Sequence, residues 1–385
     1  MTKNYDAIII GAGIAGASVA YFLTQKGMKD ILILEKEEQP GYHSTGRSAG
    51  VLAEFDPIPS MVDLKVLGGR FLRNPPEGFS EYPLLRKSGI LVLGKGQTWD
   101  TLVKMVSGLK SKGVEVRILS KIDVCSMVPV LSPESIDGAL LFSEDGHIDV
   151  HELLWSYLRN ARKAGAELRC GEEVQVIKVY NNRAVGIISN KNEYACNWVI
   201  NAAGSWVQKM RSLAGPSPIR LTPFRRTVIT FNAPDGFDVS KWPLAVDQTH
   251  QYYLSPESGG LLASPMDEEP MEPCDVRPDE IVIAQTIELL KQFTPQIRPK
   301  AIKQKWAGLR TFSSDKSMII GADPSLKGFF WLAGQGGAGI ETSGAVGHIA
   351  ADLIIEGHTG IMGVSQFSPV RFYGAALEKH PKLAL

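Results

Sequence analysis

The chain has 385 residues, of which 44% are hydrophobic, and its 41 basic side chains balance 41 acidic ones. This length and apolar fraction are sufficient for two domains with sizeable cores, and a net charge of zero argues against a polyanionic partner such as nucleic acid. The four cysteines are far apart and form neither a CxxC pair nor a metal-binding spacing, so we expect reduced thiols, no metal site and a cytoplasmic protein.

The first elements form a strand–turn–helix–strand unit. Residues 5–10 are an apolar, β-branched run that predicts a buried strand, and residues 17–26 follow a helical pattern. Between them lies Gly-Ala-Gly-Ile-Ala-Gly at 11–16, and a second apolar run at 31–34 ends in Glu35. Because this unit starts within the first residues given, we expect no signal peptide.

Each part of this unit has a role in binding a dinucleotide. Gly11 permits the tight turn, Gly13 lets the backbone approach a pyrophosphate, and Gly16 lets the helix and strand pack closely. The free N–H groups at the start of the helix favour phosphate, and Glu35 can accept hydrogen bonds from ribose hydroxyls. Because all of this context occurs together, the unit predicts a dinucleotide site rather than a plain glycine turn.

Three separated segments have the pattern of a nucleotide-binding domain, namely residues 1–50, 145–215 and 317–385. The intervening residues 51–144 and 216–316 mix helical segments with the alternating pattern of antiparallel strands. The sequence therefore predicts an α/β protein in which a nucleotide domain is interrupted twice by a second, sheet-based domain.

A second glycine-rich loop lies near the C-terminal end. The apolar run at 329–333 leads into the loop at 334–339, and the first turn of a predicted helix covers residues 340–342. A cofactor with a pyrophosphate at one end and a redox ring at the other would use two such loops, which favours FAD over NAD. The alternative is a turn that serves helix packing. Glycines and charges interrupt the apolar stretch at 328–355, so no membrane span is predicted, although a peripheral membrane contact is compatible with it.

With both loops in place, the chain resembles the D-amino-acid oxidase superfamily of FAD-dependent oxidoreductases. Within it, the sequence most resembles the bacterial FAD-dependent D-arginine dehydrogenases, over nearly its whole length. The most specific motifs are GYHSTGRSA at 41–49, NPPEGF at 74–79, WAGLRTF at 306–312 and the block at 328–343. The resemblance implies a Rossmann-type, glutathione-reductase-like FAD-binding domain interrupted by a mixed or antiparallel-sheet substrate domain.

The motifs and the resemblance also imply which residues bind FAD non-covalently. The backbone of Val174 is expected near the adenine, and residues 336–341 along the isoalloxazine. Arg47 can meet phosphate charge, the alternative being a surface ion pair, whereas His43 is expected to be structural. The expected cofactor residues are Gly11, Gly13, Ala15, Gly16, Glu35, Lys36, Ser44, Thr45, Gly46, Arg47, Ser48, Ala49, Gly50, Val51, Val174, Ala203, Gly204, Gly336, Gly337, Ala338, Gly339, Ile340 and Glu341.

Three residues match the carboxylate clamp of this superfamily: Arg226, Tyr253 and Arg310. An arginine binds a carboxylate bidentately, and a tyrosine hydroxyl adds a further donor. Together they would hold an amino acid by its carboxylate, the alternative for each arginine being a surface ion pair. Arg225 is expected to face the other way, since successive strand residues alternate. Tyr253 precedes a hairpin whose connection is predicted at 255–259.

The residues that would select a side chain differ from the D-arginine dehydrogenases. Ile90 stands where that family has a glutamate, Val51 where it has a histidine, and the mobile tyrosine corresponds to the region of Phe55 and Asp56. A buried guanidinium without a partner would be costly, although Glu54 or Asp56 could substitute from the same loop. The residues that predict a more apolar pocket are Val51, Leu52, Ile90, Leu244 and Val246.

Glu341 stands where the superfamily usually has a neutral glutamine. If its carboxylate faces the flavin, it opposes the negative charge of the reduced ring. The alternative is that the side chain turns to solvent.

The predicted function is FAD-dependent oxidative deamination of a D-amino acid that is not specifically basic. Hydride would leave Cα for flavin N5, and the imine would hydrolyse to a 2-oxo acid. The first alternative is an N-methyl amino acid or glycine oxidase, or a 2-hydroxy-acid dehydrogenase, of the same fold. The second is a flavin-binding redox partner without turnover. The electron acceptor is left open, between oxygen, a quinone or another molecule.

Overall fold

The computed structural model describes residues 4–374. Residues 1–3 and 375–385, which the sequence assigns to the nucleotide domain, lie outside the described part. The strands are β1 (Asn4–Ile10), β2 (Ile31–Leu34), β3 (Val51–Leu52), β4 (Leu85–Lys87), β5 (Ile90–Gly94), β6 (Arg117–Ser120), β7 (Gly138–Phe142), β8 (Gly146–Ile148), β9 (Glu167–Arg169), β10 (Val174–Tyr180), β11 (Arg183–Ser189), β12 (Glu193–Asn201), β13 (Leu221–Asn232), β14 (Leu244–Asp247), β15 (Tyr252–Glu257), β16 (Gly260–Ser264), β17 (Glu269–Pro270), β18 (Ile302–Ser313), β19 (Ile319–Ala322) and β20 (Phe329–Ala333).

The helices lie mostly between these strands. They are α1 (Ile14–Gln25), α2 (Pro59–Arg73), α3 (Gln97–Ser111), α4 (Lys121–Met127), α5 (Val150–Lys163), α6 (Val207–Ser212), α7 (Glu280–Phe293) and α8 (Ser343–Ile355). Short 3-10 turns cover Gly204–Trp206, Val239–Lys241, Val364–Phe367 and Pro369–Phe372. Across residues 4–374, no helix has both the length and the apolar character that crossing a membrane requires.

The first sheet is built around β1, which pairs in parallel with β2 on one side and β12 on the other. β9 extends it beyond β2, and β20 pairs in parallel with the end of β12. Both faces of β1 are covered, because Ala7 and Ile9 join the core under α1, α5 and α8, while Ile8 and Ile10 join the opposite core. A continuous apolar strand is typical of such a doubly covered parallel sheet.

The second sheet is mostly antiparallel and has the order β17-β13-β16-β15-β14-β5-β7-β6, with β18 also paired to β13. Its longest pair joins β13 to β18, and β14 pairs with β5 in parallel. A small third sheet has the order β3-β8-β4. The predicted α/β class, with a Rossmann-type sheet and a mixed or antiparallel sheet, is confirmed.

The hairpin between β15 and β16 is tighter than predicted. β15 continues to Glu257, so the connection consists of Ser258 and Gly259 rather than residues 255–259. Both have positive φ, 45° and 74°, as a two-residue turn that follows the twist of its strands requires. With this short connection, Tyr253 lies within a regular strand, β15.

Candidate functional site

The N-terminal glycine turn has little space for side chains. Gly11 has φ of 103°, and a Cβ on it would lie 2.6 Å from the carbonyl oxygen of Ala202. A Cβ on Gly16 would lie 1.9 Å from the carbonyl oxygen of Gly11. Gly16 therefore contributes close packing, and it does not line the cavities described below. Gly13 does line them, with its Cβ position 3.2 Å from Thr45 Oγ1.

Glu35 ties the end of β2 to this turn. One carboxylate oxygen accepts from the N–H of Ala12 at 2.9 Å, and the other accepts from the N–H of Glu37 at 3.0 Å. The side chain is buried yet lines a cavity beside Lys36. A carboxylate oxygen can accept more than one hydrogen bond, so the predicted ribose contact is compatible with this role.

An aromatic wall that sequence reasoning missed closes the far end of this cavity. Trp206 has Lys36 Nζ 3.6 Å from its ring centroid, and the His43 ring centroid lies 4.5 Å away. His43 Nε2 lies 2.7 Å from Glu37 Oε1, and burial lowers the pKa of this imidazole. Val174 lines the same cavity. The tryptophan directly follows the Asn-Ala-Ala-Gly-Ser segment, and this adjacency could have indicated it.

A second cavity continues from the first and contains the middle of the predicted cofactor set. The residues lining both cavities are Gly13, Ser44, Thr45, Ala202, Gly204 and Ser205. Gly46 does not line either one, because it packs against Gly41, whose carbonyl oxygen lies 2.6 Å from its Cβ position.

Arg47 lines the second cavity, but its guanidinium is engaged elsewhere. It forms an ion pair with Asp275 and donates to the carbonyl oxygens of Val276 at 3.0 Å and Ala307 at 3.3 Å. This arrangement supports the surface ion pair that was the alternative interpretation. The predicted phosphate contact of Arg47 is not supported.

The second glycine loop packs directly against the substrate sheet. Gly336 has φ of 51°, and its Cβ position lies 2.2 Å from the Phe312 ring. The Cβ position of Gly337 lies 2.9 Å from Arg310 Nη1. The prediction that residues 340–342 form the first helical turn is wrong, because α8 begins at Ser343 with Thr342 as its N-cap.

The three predicted clamp residues line one cavity together. On the paired strands Arg226 lies opposite Gly308 and Phe224 opposite Arg310, so the two arginines are diagonal neighbours on one face. Burial, and then the charge of Arg310, lower the pKa of Arg226 to about 10. Arg225 lies on the other face, as predicted, and pairs with Glu269 and Asp279. A buried and a half-buried positive charge therefore lie side by side, an arrangement that favours an anion between them.

An outer cavity of about 380 Å³ opens beyond the clamp. Val51, Ile90, Leu244 and Val246 line it, as the apolar-pocket prediction requires. Leu52 does not, because its neighbour Val51 faces the cavity and Leu52 itself is fully buried in the core under the first sheet. Glu54 is also absent from the lining, since it pairs with Arg73 at 2.7 Å. Asp56 does line the cavity.

Glu341 faces inward, so the alternative that it turns to solvent is wrong. It is 5% exposed, accepts from the N–H of Ala53 at 2.8 Å and pairs with Lys65 Nζ at 3.1 Å. Lys65 also pairs with Asp56 at 3.1 Å and donates to the carbonyl oxygen of Phe55 at 2.7 Å. Burial raises the pKa of Glu341. Burial alone would lower the pKa of Lys65, but the carboxylates of Glu341 and Asp56 outweigh it, so the pKa of Lys65 is raised. Sequence reasoning did not find Lys65.

The residues present fit an extended dinucleotide such as FAD. The cavities run from Glu35 and Trp206 past the first glycine turn to Glu341, and neighbouring cavities share lining residues. Where the second and outer cavities join, Gln335 Nε2 is buried and has no hydrogen-bond partner within residues 4–374. Buried amide donors are normally paired, and the residue that carries this one lines both cavities, as a ligand-binding residue would.

Comparison with known proteins agrees with this geometry. The family model described as DAO, FAD dependent oxidoreductase, matches residues 6–353. The FAD-dependent oxidoreductase domain-containing protein 1 of Mus musculus is 27% identical, over 98% of this chain and 87% of that protein.

Two solved structures are similar over almost the full chain. L-proline dehydrogenase from P. horikoshii has a TM-score of 0.88 at 21% identity, covering 97% of this chain and 99% of that one. Glycine oxidase from Geobacillus kaustophilus has a TM-score of 0.82 at 23% identity, covering 95% and 98%. At these identities the likeness establishes a shared fold.

Proposed function

The chain belongs to the DAO family of FAD-dependent oxidoreductases, and on that basis we propose that it oxidises the Cα–N bond of an amino acid with one carboxylate and an uncharged side chain. The observation that carries the proposal is the convergence of Arg226, Tyr253 and Arg310 on one cavity, beside the second glycine loop. Two arginines and a phenol provide donors in the arrangement that a carboxylate accepts.

The chain's own residues would act by orientation. The clamp would fix the substrate carboxylate, so that the Cα–H bond points towards the second glycine loop. The apolar side chains that line the outer cavity would exclude water from the reacting atoms. FAD, when bound, supplies the acceptor for the hydride that leaves Cα. We assign no side-chain base: the amine reacts in its neutral form, and the released imine hydrolyses to a 2-oxo acid and ammonia or an amine.

The charges around the outer cavity support a substrate with one negative group. Its lining has four basic side chains against three acidic ones, and these are Lys65, Arg226, Arg310 and Lys316 against Asp56, Glu268 and Glu341. A single carboxylate balances this excess. A second carboxylate, or a cationic side chain, on the substrate would find no unpaired opposite charge among the described residues that line the cavity. Burying such an unpaired charge costs several kcal/mol of binding free energy.

The similar structures named for glycine oxidase and L-proline dehydrogenase support an amino acid as the substrate class. The sequence prediction of a D-amino acid remains the first candidate within that class. N-methyl amino acids, glycine and 2-hydroxy acids are the competing candidates.

A panel of substrates under anaerobic conditions tests the proposal. We expect a D-amino acid with an apolar side chain to bleach the absorbance of the bound flavin, and acidic or basic amino acids to do so poorly. The panel should contain both enantiomers of each amino acid, together with N-methyl amino acids, glycine, proline and 2-hydroxy acids. If no carboxylate substrate bleaches the flavin, the proposal fails and a non-catalytic flavoprotein is favoured. Repeating the active members with oxygen present separates an oxidase from a dehydrogenase.

The substitution Arg310→Met tests the clamp itself. Because it removes a charged donor from a buried site, we expect KM for the identified substrate to rise by about tenfold or more. Arg225→Met is the matched control, since Arg225 lies on the same sheet but faces away from the cavity. A small change in KM for Arg310→Met would contradict the clamp.

A further inference from the structure

The segment between β16 and β17 places three consecutive acids against one strand. Asp267 accepts from the N–H of Thr227 at 2.7 Å and from its hydroxyl at 2.9 Å. Glu269, at the start of β17, pairs with Arg225 on the outer face. Glu268 lies between them and turns the other way, towards the clamp. Met266, directly before these acids, has a positive φ of 53°.

Glu268 contacts the clamp directly. Its Oε1 lies 3.2 Å from Arg226 Nη2, and its Oε2 lies 3.1 Å from Lys316 Nζ. The carboxylate therefore bridges a buried arginine and an exposed lysine at the edge of the outer cavity, which both basic residues also line. The backbone carbonyl of Asp267 accepts from Arg226 Nε at 2.9 Å, so the same segment also orients the guanidinium.

The two members of this pair differ in burial. Arg226 is 5% exposed, whereas the Glu268 side chain is 37% exposed. Glu268 can therefore move into solvent while its partner stays fixed in the strand. Arg310, the other clamp arginine, has no carboxylate partner within residues 4–374 at ion-pair distance. A substrate carboxylate that binds both arginines must therefore compete with Glu268 for the guanidinium of Arg226.

We propose that Glu268 is a specificity-determining residue that occupies Arg226 in the substrate-free protein and is displaced when a substrate carboxylate binds. This inference rests on the proposed function, in which Arg226, Tyr253 and Arg310 bind that carboxylate. Lys316 keeps the displaced side chain near the cavity edge. Because it must be displaced, Glu268 lowers the affinity for every carboxylate. At the cavity edge its charge also repels a second carboxylate, so it selects against dicarboxylates.

Binding of simple carboxylates to the FAD-loaded protein tests this inference. Acetate and benzoate have no amine, so they report on the clamp alone, and their binding is measured by calorimetry and by the change in flavin absorbance. In Glu268→Gln the internal competitor is gone while the shape is kept. We expect both dissociation constants to fall by about fivefold, and succinate to gain more than acetate.

Glu269→Gln is the matched control, because it removes the adjacent carboxylate, which pairs with Arg225 on the outer face of the second sheet. It should leave the dissociation constants unchanged. Glu268→Ala provides a second variant without a polar side chain, and it should tighten binding in the same direction. The flavin spectrum verifies that each variant is folded and loaded.

Different results would contradict the displacement of Glu268 and the carboxylate clamp. Unchanged or weaker carboxylate binding in both Glu268 variants, with normal binding in the wild type, would overturn the displacement of Glu268 and leave the clamp intact. A higher KM for the amino acid with unchanged acetate binding would also overturn it, since Glu268 would then hold the substrate amine. If the wild type binds no carboxylate at all, the clamp and the displacement fail together.

Discussion

The surroundings of Glu341 come from residues that are distant in sequence. Ala53, which donates to its carboxylate, lies 288 positions away, and Lys65 comes from the middle of α2. The Glu341 side chain is therefore held in the lining of the outer cavity with its negative charge opposed by one lysine. The resemblance predicts that this position lies along the redox ring of FAD.

Glu341→Gln should raise the two-electron midpoint potential of the bound flavin. The substitution removes a negative charge from the region where reduction adds one, and it leaves Lys65 in place. We expect a rise of about 30 mV, which corresponds to about 1.4 kcal/mol for a two-electron couple. Equilibration with a dye of known potential measures it.

Glu257→Gln, on an exposed part of the hairpin, is the control for this measurement and should not move the potential. An unchanged potential in Glu341→Gln would show that the charge of Glu341 is not felt by the ring.

Positions and orientations that follow from local sequence agree with the structure, whereas residues brought together by distant contacts were not anticipated. The glycines at 11 and 16 follow from the local turn, and Arg226 and Arg225 follow from strand alternation. Lys65, Trp206 and Glu268 acquire their roles only when separate segments meet. No local pattern marks a lysine on an amphipathic helix as the partner of a glutamate near the C-terminal end.

The second glycine loop packs between the two large sheets. β20 leads into it from the first sheet, and Phe312 of β18 in the second sheet packs on Gly336. The sequence indicated the loop and the strand before it. It did not reveal that α8 begins only at Ser343, because residues 340–342 contain no glycine or proline that would exclude a helix.

Gly336→Ala should weaken FAD binding. Its Cβ would collide with the Phe312 ring at 2.2 Å, and alanine is strained at a φ of 51°. Overpacking of this kind costs about 1–3 kcal/mol, so we expect the dissociation constant for FAD to rise by about tenfold. Titration of the apoprotein with FAD, followed by quenching of flavin fluorescence, measures it.

Gly357→Ala is the control for a strained alanine away from the three cavities. Gly357 also has positive φ, 76°, but nothing lies within 4 Å of its Cβ position. This variant carries the backbone strain without the collision, and its affinity for FAD should match the wild type. Equal losses in both variants would mean that a general loss of stability, and not the packing of the glycine loop on Phe312, is responsible.

His147 joins the small third sheet to the second sheet. It lies on β8, with Nδ1 2.8 Å from the hydroxyl of Ser88 and Nε2 2.7 Å from the hydroxyl of Ser255 on β15. A neutral imidazole can satisfy both hydroxyls, since one ring nitrogen donates and the other accepts. The sequence predicted the two sheet-based parts of the fold, but a single histidine gives no local indication that it bridges them.

The buried imidazole makes stability depend on pH. Burial, and then the charge of Arg86, lower the pKa of His147 to about 4 from an ordinary value of 6.5. Between these values the unfolded chain binds a proton that the folded chain does not, so the free energy of unfolding rises with pH. The contribution is complete above pH 6.5 and is lost as the pH falls towards 4. It amounts to about 3 kcal/mol, at about 1.36 kcal/mol for each pH unit between the two pKa values.

Urea denaturation of the wild type and of His147→Gln at several pH values between 4.5 and 7.5 tests this account. The glutamine variant is expected to be less stable than the wild type at pH 7.5, because the two serine hydroxyls lose an optimal partner. It should nevertheless lose less stability on acidification, so that the two curves converge at low pH. His151→Gln, at an exposed position on α5, should retain the wild-type slope. Parallel curves for the wild type and His147→Gln would show that other groups govern the acid sensitivity, because a histidine that stays neutral in the folded protein must contribute this slope.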